Sequence, residues 1–183
     1  MALISSTTII TSVSLFHITL AYFFLFRPKT IEDQAVVYVL GESMKMPAVR
    51  GFDVPSPGLA LLAVILAFSG ISDLVSLSMP ADFSALYYWG TQAPLRFFLS
   101  MLLVFYSYIF GPSSPLFSSS TRRPTHSHKP SASGADHLHN RLLFSFMFVE
   151  MMAWFWTWIT LREERSSIVE RMRKQHEREA HSH

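Results

Sequence analysis

Four long runs of apolar residues alternate with more polar stretches along the chain. They cover residues 4–26, 57–77, 86–110 and 142–161. The clearest is 57–77, which contains a single formal charge, Asp73. A helix needs about twenty apolar residues to cross the hydrocarbon core of a bilayer. The pattern therefore predicts an all-α protein built on a bundle of four transmembrane helices.

Three further segments lie between or after these runs. Residues 30–46 are too short and too charged to span a membrane, so they predict a short interfacial helix after the first span. Residues 111–136 are rich in Pro, Ser and basic residues and contain little that is apolar, which predicts a disordered linker. Residues 162–183 carry charges at helical spacing and predict a helical tail. The membrane domain would then comprise residues 1–161, interrupted by the linker.

The second run carries small residues on one helical face. They are Ala60, Ala63, Ala67 and Gly70. Small side chains let two helix backbones approach closely within a membrane. We therefore expect this face to pack against another span, with Asp73 on the flank of the stripe.

Four ionisable side chains fall inside the predicted spans. They are His17, Asp73, Arg96 and Glu150. A rise of about 1.5 Å per residue places Glu150 roughly 16 Å from one face of the membrane. Arg96 is roughly 13 Å from that face if the third helix starts at the aromatic belt formed by Tyr87, Tyr88 and Trp89, and not at Pro94. Arg96 could then reach either acid, and a bridged group of the three is geometrically possible. His17 matches Glu150 in depth.

This set of charges has two interpretations. In the first, Arg96 neutralises one or both acids and fixes how the spans dock, because an unpaired charge in hydrocarbon is expensive. In the second, the charges line a hydrated pathway for an ion or a polar solute, which a four-span protein would form mainly by oligomerising. The first is favoured, because nothing in the sequence resembles a known selectivity filter.

Composition argues against several classes of protein. Charged residues make up 15% of the 183 residues, against roughly 25% in soluble domains. The formal net charge of +2 is too small to indicate nucleic-acid binding. The chain has no cysteine, which removes disulfides and thiolate metal ligands. It has no HExxH, GxSxG or phosphate-binding glycine loop, so we expect no enzymatic activity and no cofactor.

Histidines cluster near the predicted linker and in the tail. They are His126, His128, His137, His139, His176, His181 and His183. Imidazoles at such spacing can bind transition metals. An exposed segment, however, provides no surrounding residues that would orient these ligands. We expect no structural or catalytic metal site.

Basic residues leave the orientation of the chain in the membrane open. The connections after the first and third runs are rich in Lys and Arg, and so is the tail. Four crossings would put these two basic groups on opposite sides. The positive-inside rule therefore gives conflicting answers.

Several short motifs, taken in order, resemble one known family. They are MKMP at 44–47, GISDL at 70–74, PLR at 94–96, FVE at 148–150 and REE at 162–164. Together with the four spans, they are similar to the fungal "increased loss of mitochondrial DNA" proteins of the endoplasmic reticulum membrane. The linker looks like an expansion relative to shorter relatives. The resemblance implies residence in the endoplasmic reticulum and an indirect link to mitochondrial genome maintenance, and it assigns no activity and no catalytic residue.

These observations lead to two functional hypotheses. The first is a non-enzymatic scaffold or accessory subunit, which docks a protein partner in the membrane through the small-residue face and the intramembrane charges. The alternative is an oligomeric channel or transporter for an ion or small polar solute. Membrane lipids and either a protein partner or further copies of the chain are the expected partners, and nucleic acid is not.

Overall fold

The structure, a computed structural model, describes residues 4–48, 55–80, 83–110 and 138–181. This part of the chain is all-helical, and a π-helical turn, Ser84–Tyr88, precedes the fifth α-helix. The α-helices are α1 (Ser6–Phe26), α2 (Pro28–Glu32), α3 (Ala35–Ser43), α4 (Pro57–Ser76), α5 (Trp89–Ile109) and α6 (Arg141–His181). Four of them, α1, α4, α5 and α6, are long and apolar enough to cross a membrane. The predicted all-α fold with four spans is confirmed.

Parts of the chain lie outside the described residues. They include the predicted linker, 111–136, together with His126 and His128. The disorder expected of this segment and the absence of a metal site on it therefore stay predictions.

Local sequence signals explain where several helices begin and end. Ser5 and Ser56 are the N-caps of α1 and α4, and each hydroxyl accepts the backbone N–H three residues further on, at 3.3 Å. α3 ends in a Schellman motif, in which Lys45 has a φ of 53° and the N–H of Met46 donates to the carbonyl of Gly41 at 2.8 Å. The chain reverses direction at this motif, and the side chain of Met46 is buried in the core.

The third span begins at the aromatic belt and not at Pro94. The π-helical turn Ser84–Tyr88 runs directly into α5, and Pro94 lies inside that helix. Arg96 is therefore about 10 Å beyond the first residue of α5 along the helix axis. Arg96 therefore lies deeper in the third span than it would if the helix began at Pro94.

α1 and α4 pack closely along the small-residue face. A Cβ atom on Gly70 would lie 2.7 Å from the carbonyl oxygen of Ser14, so only glycine allows this approach. Ala63 is buried as well, whereas Ala60 and Ala67 are half-buried. The face is thus occupied within the chain, by α1.

Aromatic side chains dominate the contact between α5 and α6. The rings of Trp89 and Trp154 stack with their centroids 5.7 Å apart. The centroid of Phe97 lies 5.4 Å from that of Phe155 and 5.8 Å from that of Trp158. Ring pairs of this kind stabilise packing beyond the area they bury. α5 and α6 therefore form a second tightly packed pair beside α1 and α4.

Contacts at the two ends of the bundle show how the helices are arranged. The N–H of Ser6, in the first turn of α1, donates to Glu164 at 2.9 Å, and the Ser6 hydroxyl donates to the same carboxylate. At the other end, the N–H of Arg141 donates to the carbonyl of Pro47 at 3.1 Å. The start of α1 therefore shares one end with residue 164 of α6, and the chain after α3 shares the other end with the start of α6.

α6 continues well beyond the bundle. It is a single helix of 41 residues, about 60 Å long, which contains both the predicted fourth span and most of the predicted tail. We call its last part, residues 162–181, the α6 extension. Most of the side chains described there are exposed.

The outer surface of the spanning helices is apolar. On α4 the exposed large side chains include Leu61, Val64, Phe68, Ile71 and Val75. A continuous apolar surface of this kind is unusual on a soluble monomer. It fits a helix that faces lipid.

Candidate functional site

An ion pair joins α4 to α5 inside the bundle. Nη1 of Arg96 donates to Oδ2 of Asp73 at 2.6 Å, and Nη2 donates to Oδ1 at 2.8 Å. Asp73 is 1% exposed, and the side chain of Arg96 is 25% exposed. Two parallel N–H···O bonds are the strongest arrangement that an arginine and a carboxylate can form. The one carboxylate of α4 is therefore neutralised by α5.

A second polar pair joins α1 to α6 near the middle of the span. Nε2 of His17 lies 2.6 Å from Oε1 of Glu150, and Nε1 of Trp154 donates to Oε2 of Glu150 at 2.6 Å. Both His17 and Glu150 are buried. Nδ1 of His17 has no partner among the described residues. An indole N–H can only donate, so Trp154 is a hydrogen-bond donor to Glu150, and His17 contacts the other oxygen of the same carboxyl group.

Trp154 connects the two pairs. The guanidinium carbon of Arg96 lies 4.7 Å from the centroid of Trp154 and 5.6 Å from that of Trp89, within the range of a cation–π contact. Trp154 thus meets Arg96 through its ring and Glu150 through its N–H. A continuous series of contacts now runs through all four spanning helices. We call this series the buried charged group; its members are Asp73, Arg96, Trp154, Glu150 and His17.

All four ionisable side chains that the sequence singles out therefore lie in one series of contacts. Arg96 bonds to Asp73 directly. It contacts the ring of Trp154, whose N–H donates to Glu150, so Arg96 pairs with one of the two acids that it could have reached. The sequence predicts Trp89 in the aromatic belt and indicates no role for Trp154. A usable signal was present, since Trp154 follows Glu150 by four residues, a spacing that puts both on one helix face.

The small-residue face helps to place the buried charged group. A Cβ atom on Gly70 would lie 3.3 Å from Cβ of His17, which is a tight contact. Gly70 is three residues before Asp73 on the same helix, so the closest approach of α4 to α1 is next to both pairs. The face and the charges are parts of one packing arrangement.

A further carboxylate contact, which the sequence did not indicate, lies at the end of α1. Glu164 accepts two hydrogen bonds from Ser6 in the first helical turn. A negative charge is stabilised there by the unpaired N–H groups and the helix dipole. Glu164 also lines a partly polar cavity of about 440 Å³, together with Trp89 and Arg171. The α6 extension is thereby anchored to the bundle at its first turn.

Of the candidate metal-binding histidines, the structure describes the side chain of His139. Nδ1 of His139 lies 3.2 Å from the carbonyl oxygen of Ser107, and its ring stacks on Tyr106. Among the side chains that the structure describes, no three of His, Asp or Glu converge. His139 therefore has a structural contact that ties the start of α6 to the end of α5.

The chemistry that this arrangement supports is mutual charge compensation. Neither the polar cavity beside Glu164 nor an apolar cavity between α1, α3 and α6 is lined by the four ionisable members of the buried charged group. Apart from Nδ1 of His17, the hydrogen bonds of these four side chains run to one another and to Trp154. Since breaking a buried pair leaves an uncompensated charge, these contacts tie the four helices together.

The match to a known family covers nearly the whole described chain. Residues 4–171 match the family described as increased loss of mitochondrial DNA protein 1. Comparison with curated proteins and with solved structures finds no match. The matched region contains the complete buried charged group and ends within the α6 extension, which confirms the resemblance drawn from the short motifs. The chain therefore belongs to the increased loss of mitochondrial DNA protein 1 family.

Proposed function

We propose that the protein is a non-enzymatic scaffold or accessory subunit of a membrane complex in the endoplasmic reticulum, and that it supports mitochondrial DNA maintenance indirectly. Membership of the family links the chain to mitochondrial DNA maintenance. The four helices that are long and apolar enough to cross a membrane support a multi-pass membrane protein. The observation that carries the proposal is the mutual pairing of the intramembrane charges. Those charges hold the helices of one chain together and are not directed at an open cavity.

The docking surface proposed from the sequence must be placed elsewhere. The small-residue face packs on α1, and the buried charged group contacts itself, so neither is open to a partner. The α6 extension contacts the bundle through Glu164 and Ile168, and the described side chains from Arg171 onward are all exposed. Residues 171–181 offer about 15 Å of helix to a protein outside the hydrocarbon layer.

The α6 extension combines an apolar centre with a charged surround. Val169 and Met172 are exposed and lie three residues apart, on one face of the helix. Ile168, beside them, packs against the bundle and holds this part of the helix in place. Apolar side chains within a polar rim are typical of the energetic centre of a protein interface. We place partner binding at Val169 and Met172.

Purification of the tagged protein in mild detergent, followed by native mass and composition analysis, tests this proposal. A partner at fixed stoichiometry is expected with the wild-type chain. The double variant Val169→Asp/Met172→Asp is expected to lower its recovery about tenfold or more. Arg178→Asp is the matched control, because it also changes the charge by −2 and lies on the opposite face. Equal loss in both variants, or no partner with the wild type, contradicts the proposal.

Location is tested separately by imaging the tagged protein together with markers of the endoplasmic reticulum and of mitochondria. Overlap with the former is expected. Residence in a mitochondrial membrane would contradict the proposed location, and it would also reopen a direct role at the mitochondrial genome.

The alternative, an oligomeric conduit, is less well supported because the intramembrane charges are paired. It predicts ion flux in liposomes that contain only this protein, and sensitivity of that flux to Glu150→Gln. We expect such liposomes to be no more permeable than empty ones. Flux that the variant abolishes would favour the conduit over the scaffold.

A further inference from the structure

An apolar cavity opens at the side of the bundle, between α1, the α2–α3 segment and α6. Its volume is about 360 Å³, which lies within the range of small-molecule sites, roughly 300–1,000 Å³. The lining is nearly all apolar and includes Leu20, Phe23, Ile31, Val37, Leu142 and Phe146. Nothing in the buried charged group lines it, so it is a separate feature of the fold.

The cavity lies at the depth of the acyl chains nearest one membrane surface. On α1 it runs from Phe16 to Phe24, and on α6 from Leu142 to Val149, which is about 10–12 Å along the helices. Residues of α2 and α3 line it at the end of the bundle where α1 finishes and α6 starts. Thr19 and Val36 in this lining are exposed, so the cavity opens at the outer surface of the bundle.

One polar side chain in this lining lacks a partner. Ser145 is 2% exposed, lines the cavity, and its hydroxyl has no hydrogen bond among the described residues. Other helical hydroxyls of this protein donate to the carbonyl four residues earlier, as Thr157 does to Ala153 at 2.8 Å. A buried hydroxyl without a partner is unfavourable. An oxygen acceptor inside the cavity would satisfy the hydroxyl of Ser145.

We propose that this cavity binds one acyl chain of a membrane phospholipid, and that the ester carbonyl oxygen of that chain accepts a hydrogen bond from Ser145. Ser145 lies about 6 Å along α6 from the first residue of that helix. This is near the boundary of the hydrocarbon layer, where ester groups lie and the acyl chain begins. The chain then follows the apolar lining toward the middle of the membrane.

Polarity distinguishes an acyl chain from water in this cavity. A cluster of water would need two to four polar partners for each molecule, and the lining is almost entirely apolar. A mostly apolar ligand with one acceptor oxygen near Ser145 matches both the apolar lining and the unpaired hydroxyl.

The test uses the full-length protein in nanodiscs that contain phosphatidylcholine with a diazirine on one acyl chain. After illumination, the crosslinked residues are identified by mass spectrometry. We expect crosslinks to concentrate on the cavity-lining parts of α1 and α6, at several times the level found on the exposed face of α4. Crosslinks spread evenly over all lipid-facing residues would overturn the proposal.

Variants test the same site through the lipid that stays bound in detergent. Ser145→Ala is expected to lower retained phospholipid per chain about fivefold, the effect of one hydrogen bond. Ser145→Thr, which keeps the hydroxyl, is expected to retain most of it. Thr19→Trp should abolish retention by filling the rim, while its control, Leu61→Trp on the exposed face of α4, should not.

Each other outcome of the retention experiment is also decisive. Retention that is unchanged in both Ser145→Ala and Thr19→Trp would show that the bound lipid is elsewhere. A sterol as the sole retained lipid would exclude the phospholipid. If Ser145→Ala does not fold, the distribution of crosslinks in the wild-type chain decides alone. None of these results depends on whether the α6 extension binds a partner.

Discussion

Ion pairs of nearly equal length occur in two regions of this molecule with opposite surroundings. In the buried charged group, Arg96 and Asp73 approach to 2.6 Å, and Asp73 is almost fully buried. In the α6 extension, Lys174 and Glu170 approach to 2.7 Å, and both side chains are exposed. The distances hardly differ. The environment, and not the separation of the charges, therefore determines what each pair does for the protein.

The physical reason is the medium around the charges. Water screens the exposed pair and solvates either partner when the other is removed, so surface pairs contribute little. Hydrocarbon and packed side chains neither screen nor solvate a charge. The loss of one buried partner therefore leaves the other charge with no compensation. An ion pair therefore stabilises the fold in the bundle and contributes almost nothing to stability in the α6 extension.

The largest expected effect comes from breaking the buried pair on one side. Asp73→Leu or Arg96→Leu alone should lower the free energy of unfolding by about 3–5 kcal/mol, because each leaves an uncompensated charge inside the bundle. The double variant should recover most of that loss. Unfolding of the purified variants in detergent, analysed as a double-mutant cycle, measures the coupling. Single variants as stable as the wild type would contradict this account.

A smaller effect is expected when Trp154 loses only its N–H. Trp154→Phe keeps an aromatic ring beside Arg96 but removes the donor to Glu150, which should lower the free energy of unfolding by about 1.5–3 kcal/mol, as for hydrogen bonds to charged groups. Trp156→Phe, at an exposed position of α6, is the matched control and should change little. Equal effects of the two substitutions would mean that the contact to Glu150 contributes nothing.

Close packing beside the charges should tolerate no added methyl group. Gly70→Ala puts a Cβ atom 2.7 Å from the Ser14 carbonyl oxygen, and it should cost about 1–3 kcal/mol of unfolding free energy by overpacking. In Gly58→Ala, the new Cβ meets only the Ser56 hydroxyl, at 3.9 Å. This control should be as stable as the wild type. A harmless Gly70→Ala would show that α1 and α4 do not approach as described.

The smallest effect is expected in the α6 extension. Glu170→Gln should leave unfolding unchanged within error, because the pair with Lys174 is fully exposed. The hydrogen bond and charge of Lys174 lower the pKa of Glu170 below its usual value. The pair's small contribution is therefore complete above the usual carboxyl pKa and is lost as the pH falls through the lowered one. NMR titration of Glu170 checks this, and a pKa insensitive to about 1 M salt would contradict a screened surface pair.

The sequence predicted the spanning helices because each requires only a long apolar run, which is a local property. It also identified His17, Asp73, Arg96 and Glu150, since any ionisable side chain in such a run is conspicuous. Depth alone left open which acid Arg96 bonds, because helices at equal depth can be arranged around one another in several ways. The start of α5 was likewise open until the π-helical turn placed it.

Other features could not be predicted, because they depend on how the helices meet. Trp89 and Trp154 read as ordinary membrane aromatics until their stacking puts them beside Arg96. Glu164 read as a tail residue, and its bond to the first turn of α1 joins residues far apart in sequence. The partnerless hydroxyl of Ser145 is visible only once its neighbours are known. Apart from the four-residue spacing of Glu150 and Trp154, pairwise geometry of this kind leaves no periodic signal in one chain.

The most direct test of the claim that the intramembrane charges are structural is the function of the doubly apolar variant. Cells whose only copy of the protein carries Asp73→Leu/Arg96→Leu would be assayed for mitochondrial DNA copy number, at matched protein level and with folding verified. We expect wild-type copy number, because the variant lacks an ion pair but leaves neither of its two charges uncompensated. A folded, normally abundant double variant whose cells lose mitochondrial DNA would show that these charges do more than hold the bundle together.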